Sequence, residues 1–205
     1  ANAYAYAFDW SEYLAPKLLN QLLTAGLKVK VATKTFSSVI DGENKAFNTG
    51  TIVMPAGLQT LVNWQDKLKQ LSKQNSIDIY SLNSGLTITG VDIGSGSIMP
   101  VNKVKVLLVG GKGSSQYEAA EVLYYLDATL GIPVSVVEQS RLPRIDLSTY
   151  SHVIMVDGNY KLLSDKTVKR LTSWIKQGGV IIGQKRAAQW LSEKELLQIN
   201  FVSKE

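Results

Sequence analysis

Cysteine is missing from all 205 positions, and histidine occurs once, at His152. The first absence rules out disulfides, thiolate metal centres and a cysteine nucleophile together. It also fits an exported chain, for which stray thiols are a liability. The second leaves too few nitrogen ligands for a zinc site, which draws on His or Cys at short spacing. No Asp-x-Asp-x-Asp-Gly loop offers a calcium site instead, so neither a metal nor a cofactor is expected. Long apolar runs are missing too: nothing approaches the roughly 18 residues that cross a bilayer, and no secretory signal is present. Blocks of like charge are also lacking. The net charge is +5, but its lysines are dispersed, as in Lys28, Lys30 and Lys34 or Lys103, Lys105 and Lys112. They lack the basic-aromatic interleaving of a nucleic-acid surface. The expectation is a mildly basic solvated surface, with no nucleic-acid partner and no membrane span. The chain opens on Ala1, without Met, directly into a strand-like run, and so reads as a piece of a longer polypeptide.

What the chain does have is short β-branched or apolar runs bounded by turn residues, the mark of buried strands. They stand at residues 3–8, 28–33, 51–55, 77–82, 104–110, 133–138, 152–157 and 179–183. Helical periodicity fills the gaps at 11–26, 58–74, 114–131 and 164–178. Ser11 is the expected N-cap of the first helix and Gly26 its stop. Leu61, Trp64, Leu68 and Leu71 should share one face of the second. The order strand, helix, strand, strand, helix, strand is written twice, and local stretches correspond. "YLAPKLLNQLLTAGLKVKVA" from Tyr13 parallels "YEAAEVLYYLDATLGIPVSVV" from Tyr117, and "TIVMPAG" from Thr51 parallels "VIMVDG" from Val153. These matches predict an internal repeat. Alternating strands and helices predict parallel sheets covered on both faces. The expected fold is therefore α/β, with two similar lobes at 1–83 and 101–205. Each should carry a small parallel sheet, strand order 2-1-3-4, and flanking helices. Residues 84–100, rich in Gly, Ser and Thr, are expected as the linker, with a short hairpin around Leu86–Ile93.

Two loops invite a chemical reading. In "VLLVGGKGSSQYEAAEV" a strand runs into Gly110, Gly111 and Gly113, and a helix starts after Ser114 and Ser115. Backbone N–H groups there would suit a phosphate or carboxylate. Gln116 stands where a dinucleotide fingerprint needs its third glycine, and no Walker Gly-Lys-Ser/Thr follows. A tight turn is the simpler reading. In "VIIGQKRAAQWL" a strand breaks at Gly183 and becomes helical, as at an elbow that carries a Ser or Cys nucleophile. Here the break holds Gln184, Lys185 and Arg186. A buried lysine could form a Schiff base, while Arg186 would bind an anion. Asp157, Gly158, Asn159 and Tyr160 should face the same crevice. His152 begins its strand, the wrong end of a parallel sheet for catalysis. With no nucleophile paired to a base, no catalytic residue is assigned.

The second half, through "VKVLLVGGKGSSQYEAAEVLYYLDATLGIPVSVVE", "DLSTYSHVIMVDGNY" and "LTSWIKQGGVIIGQKRAAQWL", resembles the class I glutamine amidotransferase-like, flavodoxin-like fold. More narrowly it is similar to a degenerate version at the C-terminus of bacterial proteins whose N-terminal domain is a zinc carboxypeptidase-like metallopeptidase. "AGLKVKVATKTF", "FNTGTIVMPAGLQ" and "TGVDIGS" extend the resemblance into the first half. It implies a periplasmic or otherwise exported parent with its catalytic zinc domain upstream. The peptidase's His and Glu ligands have no counterpart here, the amidotransferase's Cys falls on Lys185, and its following His does not occur. The expectation is a non-catalytic accessory module that packs on the peptidase domain or binds a peptide or cell-envelope ligand. The crevice would comprise Gly110–Ser115, Asp157–Tyr160 and Gln184–Arg186. A two-lobed small-molecule binding or sensor protein and a lysine-dependent enzyme are the alternatives.

Overall fold

A computed structural model describes residues 3–201 of the chain. The chain divides into two units, Ala1–Lys103 and Val104–Glu205.

The second unit is built on strands β9 (Val106–Gly110), β10 (Val134–Glu138), β11 (His152–Met155) and β12 (Val180–Gly183), given their numbers in the chain as a whole. They form one parallel sheet in the order β10-β9-β11-β12, the expected 2-1-3-4. β9 is buried along its whole length, as its unbroken apolar sequence requires of a central parallel strand. Alternate side chains go to opposite faces. Leu108, Ile154 and Val156 meet Ala119, Val122 and Leu123 of helix α3 (Gln116–Leu123). Leu107, Val109, Val153 and Met155 meet Leu171 and Trp174 of α4 (Asp165–Lys176) and Trp190 of α5 (Arg186–Glu193). Each such fully buried aliphatic side chain contributes about 1.5–3 kcal/mol. Gly178, at φ +99°, ends α4: its N–H donates to Ile175 and that of Gly179 to Trp174. Between β10 and β11 the chain runs through short turns of 3-10 helix, and Arg170 pins them by donating to the carbonyls of Pro143 and Ile145.

The first unit departs from expectation. Its strands β1 (Ala5–Phe8), β2 (Lys30–Ala32), β5 (Ile52–Pro55), β6 (Tyr80–Leu82) and β8 (Ile98–Pro100) form a sheet ordered β6-β1-β5-β2-β8, and every neighbouring pair is antiparallel. Strand β3 (Phe36–Ile40) pairs with β4 (Glu43–Phe47) and β7 (Thr89–Gly90) in a second antiparallel sheet. Helices α1 (Ala15–Thr24) and α2 (Trp64–Asn75) cover the first sheet on the side of Phe8, Ile52 and Met54. Ala5, Ala7 and Val53 face the other way, towards Phe36 and Phe47 of the small sheet, whose rings stack 4.8 Å apart. The β1-α1-β2 and β5-α2-β6 crossovers interleave in opposite directions, a split βαβ arrangement of the ferredoxin-like type.

The two halves therefore share element order but not the path of the backbone, and the predicted repeat with a parallel sheet in both lobes is corrected. The reason lies between the second and third strands of the sheet. In the first unit the β3–β4 hairpin reverses the chain, so β5 returns antiparallel; in the second, the turns at 139–149 carry it back to start β11 parallel. The expected linker is corrected as well. Residues 84–100 supply β7 and β8 and bury Ile93 and Ile98 in the first unit. The Leu86–Ile93 stretch closes on itself, Ile93 N–H donating to Gly85 and Thr87 N–H to Asp92 Oδ1, while β7 pairs with β3. Ser11 does not cap α1. The helix starts after Leu14 without a side-chain cap, because Pro16 has the fixed φ and the missing N–H that suit a first turn. Leu61 precedes α2 and is exposed.

Candidate functional site

The carboxyl ends of β9, β11 and β12 meet at one corner of the second unit. At the end of β12, Lys185 adopts φ 48° and ψ −117°, a conformation that costs a bulky residue about 1–3 kcal/mol and matches the sharp strand-to-helix elbow anticipated there. Its neighbours hold it in place. A Cβ on Gly183 would stand 2.5 Å from Leu191 Cδ1 and 3.1 Å from Ala188 N, and Ala187 is fully buried. Strand and helix approach so closely here that a larger side chain at Gly183 would not fit.

The chemistry at this elbow is ionic pairing. Lys185 Nζ lies 2.5 Å from Glu118 Oε1, and the other oxygen of Glu118 accepts the Asp157 N–H at 2.9 Å. Arg186 donates from Nε and Nη2 to the two oxygens of Asp157 at 2.7 and 3.0 Å, and its own N–H points to Oδ1 at 3.3 Å. The cationic side chains are 70% and 60% exposed, the carboxylates 18% and 20%. The hydrogen bond from Lys185, then that from the Asp157 N–H, holds the Glu118 carboxyl below its usual range. The Arg186 hydrogen bond does the same for Asp157. In return Glu118 pushes Lys185 up, and Asp157 pushes Arg186 up. Lys185 is thus held as an ammonium, the opposite of the desolvated amine that Schiff-base chemistry needs.

The glycine-rich loop is likewise occupied by its own fold. Ser115 caps α3 by accepting from Glu118 N–H, donates its own N–H to Asp157 O at 2.7 Å, and Ser114 N–H goes to Gly111 O. Asn159 N–H donates to Gly113 O at 2.8 Å, and Ser114 bridges Gly158. A Cβ on Gly158 would stand 2.8 Å from Gly113 O. Gly111–Ser115 buttresses the 157–160 loop, and the N–H groups of Ser114 and Ser115 are paired within the fold. Tyr160 is 1% exposed and donates its hydroxyl to Val156 O, and burial, reinforced by Asp157 and Glu118, pushes its pKa up. Gly110 ends β9 as a buried residue, and Gln184 continues the β12 ladder through its N–H to Met155 O.

No protein-family model, curated protein or solved structure matches this chain. The site therefore rests on its own geometry. Of the residues anticipated from sequence, Gly158, Tyr160 and Arg186 line a single cavity of about 280 Å³, together with Asn159, Lys161 and a stripe of α5. Asp157 stands beside it, paired to Arg186, and Lys185 belongs to the Glu118 pair. Glu118 was not anticipated, although Ser115-x-x-Glu118 has the pattern of a capping box; the fold diverts its carboxylate from the helix start to the elbow. Gln189, Trp190 and Glu193 were also missed, and their i, i+3/i+4 spacing along α5 was the available signal. His152 lies at the other end of β11, its Nδ1 2.9 Å from Ser151 Oγ, and burial lowers its pKa. Among the described residues no cluster of potential ligands could hold a metal, and no helix is long and apolar enough to cross a membrane.

Proposed function

We propose that this chain is a non-catalytic accessory module of a larger exported, zinc carboxypeptidase-like protein, and that its elbow corner serves to bind a peptide or cell-envelope fragment. The observation that carries this reading is the retained elbow at Lys185, with Lys185 paired to Glu118 and Arg186 to Asp157. A strained turn, two glycine loops and an open cavity are kept, while at the elbow itself no nucleophile stands beside a base; the Ser151–His152 contact lies at the opposite end of β11. Peptide and cell-envelope chemistry, export and the upstream domain come from the sequence resemblance. A lysine-dependent enzyme has less support, because Lys185 is solvent-exposed and held protonated by Glu118. Packing against the peptidase domain is favoured by a separate observation: Val180 and Ile182 of the edge strand β12 are each 43% exposed, apolar surface of the kind that interfaces cover.

The test is an assay for turnover followed by titration. Glutamine, amide and ester substrates should be left unchanged by the purified chain, and Lys185→Ala should alter nothing in that assay. Muropeptides and acidic peptides should shift the backbone amide resonances of residues 157–161 and of α5. Turnover that disappears in Lys185→Ala would overturn the reading.

A further inference from the structure

The cavity beside the elbow has a polarity of its own. One wall is the 158–161 segment; the other is Arg186, Gln189, Trp190 and Glu193 of α5. These four lie at i, i+3, i+4 and i+7, one stripe of a helix. Its floor is aromatic: Trp190 and Tyr160 are 3% and 1% exposed, with ring centroids 5.9 Å apart. Its two ends are opposite in charge. Arg186 opens the helix and Glu193 closes it, about 10 Å apart along the axis at 1.5 Å per residue. The helix macrodipole has the same sense, favouring an anion at the Arg186 end and a cation at the Glu193 end. Asp157 takes one edge of the Arg186 guanidinium through Nε and Nη2. A guanidinium has five N–H donors, so its other edge is left to the cavity. With Asp157 paired to Arg186, the rim counts two cations, Arg186 and Lys161, against two anions, Asp157 and Glu193, and so carries no net charge. That disfavours a polyanion and suits a molecule bearing both signs. The Trp190 indole N–H has no hydrogen-bond partner among the described residues.

From this arrangement we infer that the cavity takes a short peptide with both termini free, its carboxylate on Arg186, its ammonium on Glu193 and its middle side chain over the aromatic floor. The inference rests on the non-catalytic binding reading above and gives it a ligand class. Extended chain advances about 3.3–3.6 Å per residue, so a tripeptide spans the two charges and a single amino acid does not. The cavity volume falls just below the usual range of ligand pockets, which also selects a small occupant.

The experiment titrates the chain with the tripeptide Ala-Phe-Ala, with its N-acetylated, C-amidated and doubly blocked forms, and with free phenylalanine, reading affinity and amide shifts by NMR. The free tripeptide should shift residues 158–161 and α5 and bind more tightly than phenylalanine. Blocking either terminus should weaken it roughly 1.5- to fivefold, the worth of one partly exposed ion pair. In Glu193→Gln, acetylation should cost almost nothing further, because its partner is already gone. Arg186→Gln should do the same for amidation, and Arg186→Lys, which keeps the charge, should retain most of the affinity. Equal binding of free and doubly blocked peptide, shifts lying elsewhere, or no binding at millimolar peptide would overturn the inference while leaving the non-catalytic reading intact. Turnover of substrate, by contrast, would sink that reading itself.

Discussion

Glu118 and Asp157 bind protons less readily in the folded chain than when exposed, since Lys185 and Arg186 hold them ionised. Between those depressed values and the ordinary carboxylate range near 4, the unfolded chain therefore carries more protons. The stabilisation from these pairs is complete above the unfolded values and is lost as pH falls through the folded ones. Lys185 works in the opposite direction: its raised pKa keeps the same pair intact until alkaline pH passes the folded value. His152, lowered by burial, adds stability that is complete above about 6.5 and drains away below it. Denaturant melts at a series of pH values should show this. Glu118→Gln and Asp157→Asn should flatten the limb below the carboxylate range, and His152→Gln should flatten the segment between the lowered histidine value and its ordinary one. The effects should be modest and should shrink in salt, because both cations face solvent.

At the level of elements, the corner depends on close approach rather than on contact area. Gly158 is the clearest case. Any side chain there meets the backbone carbonyl of Gly113 at 2.8 Å, so one of the two loops must move. Gly158→Ala should destabilise the second unit by about 1–3 kcal/mol, the usual range for forced overpacking, measured by urea unfolding against the native chain. Periodicity made the strands and the main helices legible, because a buried strand must be apolar and a helix must repeat along one face. It could not give strand direction in the first unit, since the same alternation serves parallel and antiparallel pairing. The decisive signal was nevertheless written there: Asp41-Gly42, both at positive φ (52° and 88°), makes the tight turn between β3 and β4. Asp-Gly between two strand-forming runs is a strong hairpin mark. Reading "FSSVIDGENKAF" as a hairpin would have predicted the reversal that makes β5 antiparallel. At the site, glycines, Lys185 and Arg186 were found because they interrupt a pattern. Glu118 and Glu193 were hidden because they sit inside one, as ordinary polar positions of helices.

For the molecule as a whole, the boundary matters more than the count of lobes. Each unit has its own buried clusters, so each should fold when made alone. A chain of residues 1–103 and one of 104–205 should each unfold cooperatively, followed by circular dichroism. A chain ending at residue 83 should not, because it loses β7, β8 and the buried Ile93 and Ile98. Composition misled at 84–100 because Gly, Ser and Thr serve a tightly folded loop as readily as a flexible one; the buried isoleucines spaced between them were the counter-signal. The elbow has one more consequence. Gly183 and Ala187 let strand and helix approach closely there, while the Lys185 side chain at the apex is 70% exposed. In a protein with no cysteine, that makes position 185 a ready-made attachment point, where a single introduced thiol would stand at a helix start beside the cavity, open to labels and cross-linkers.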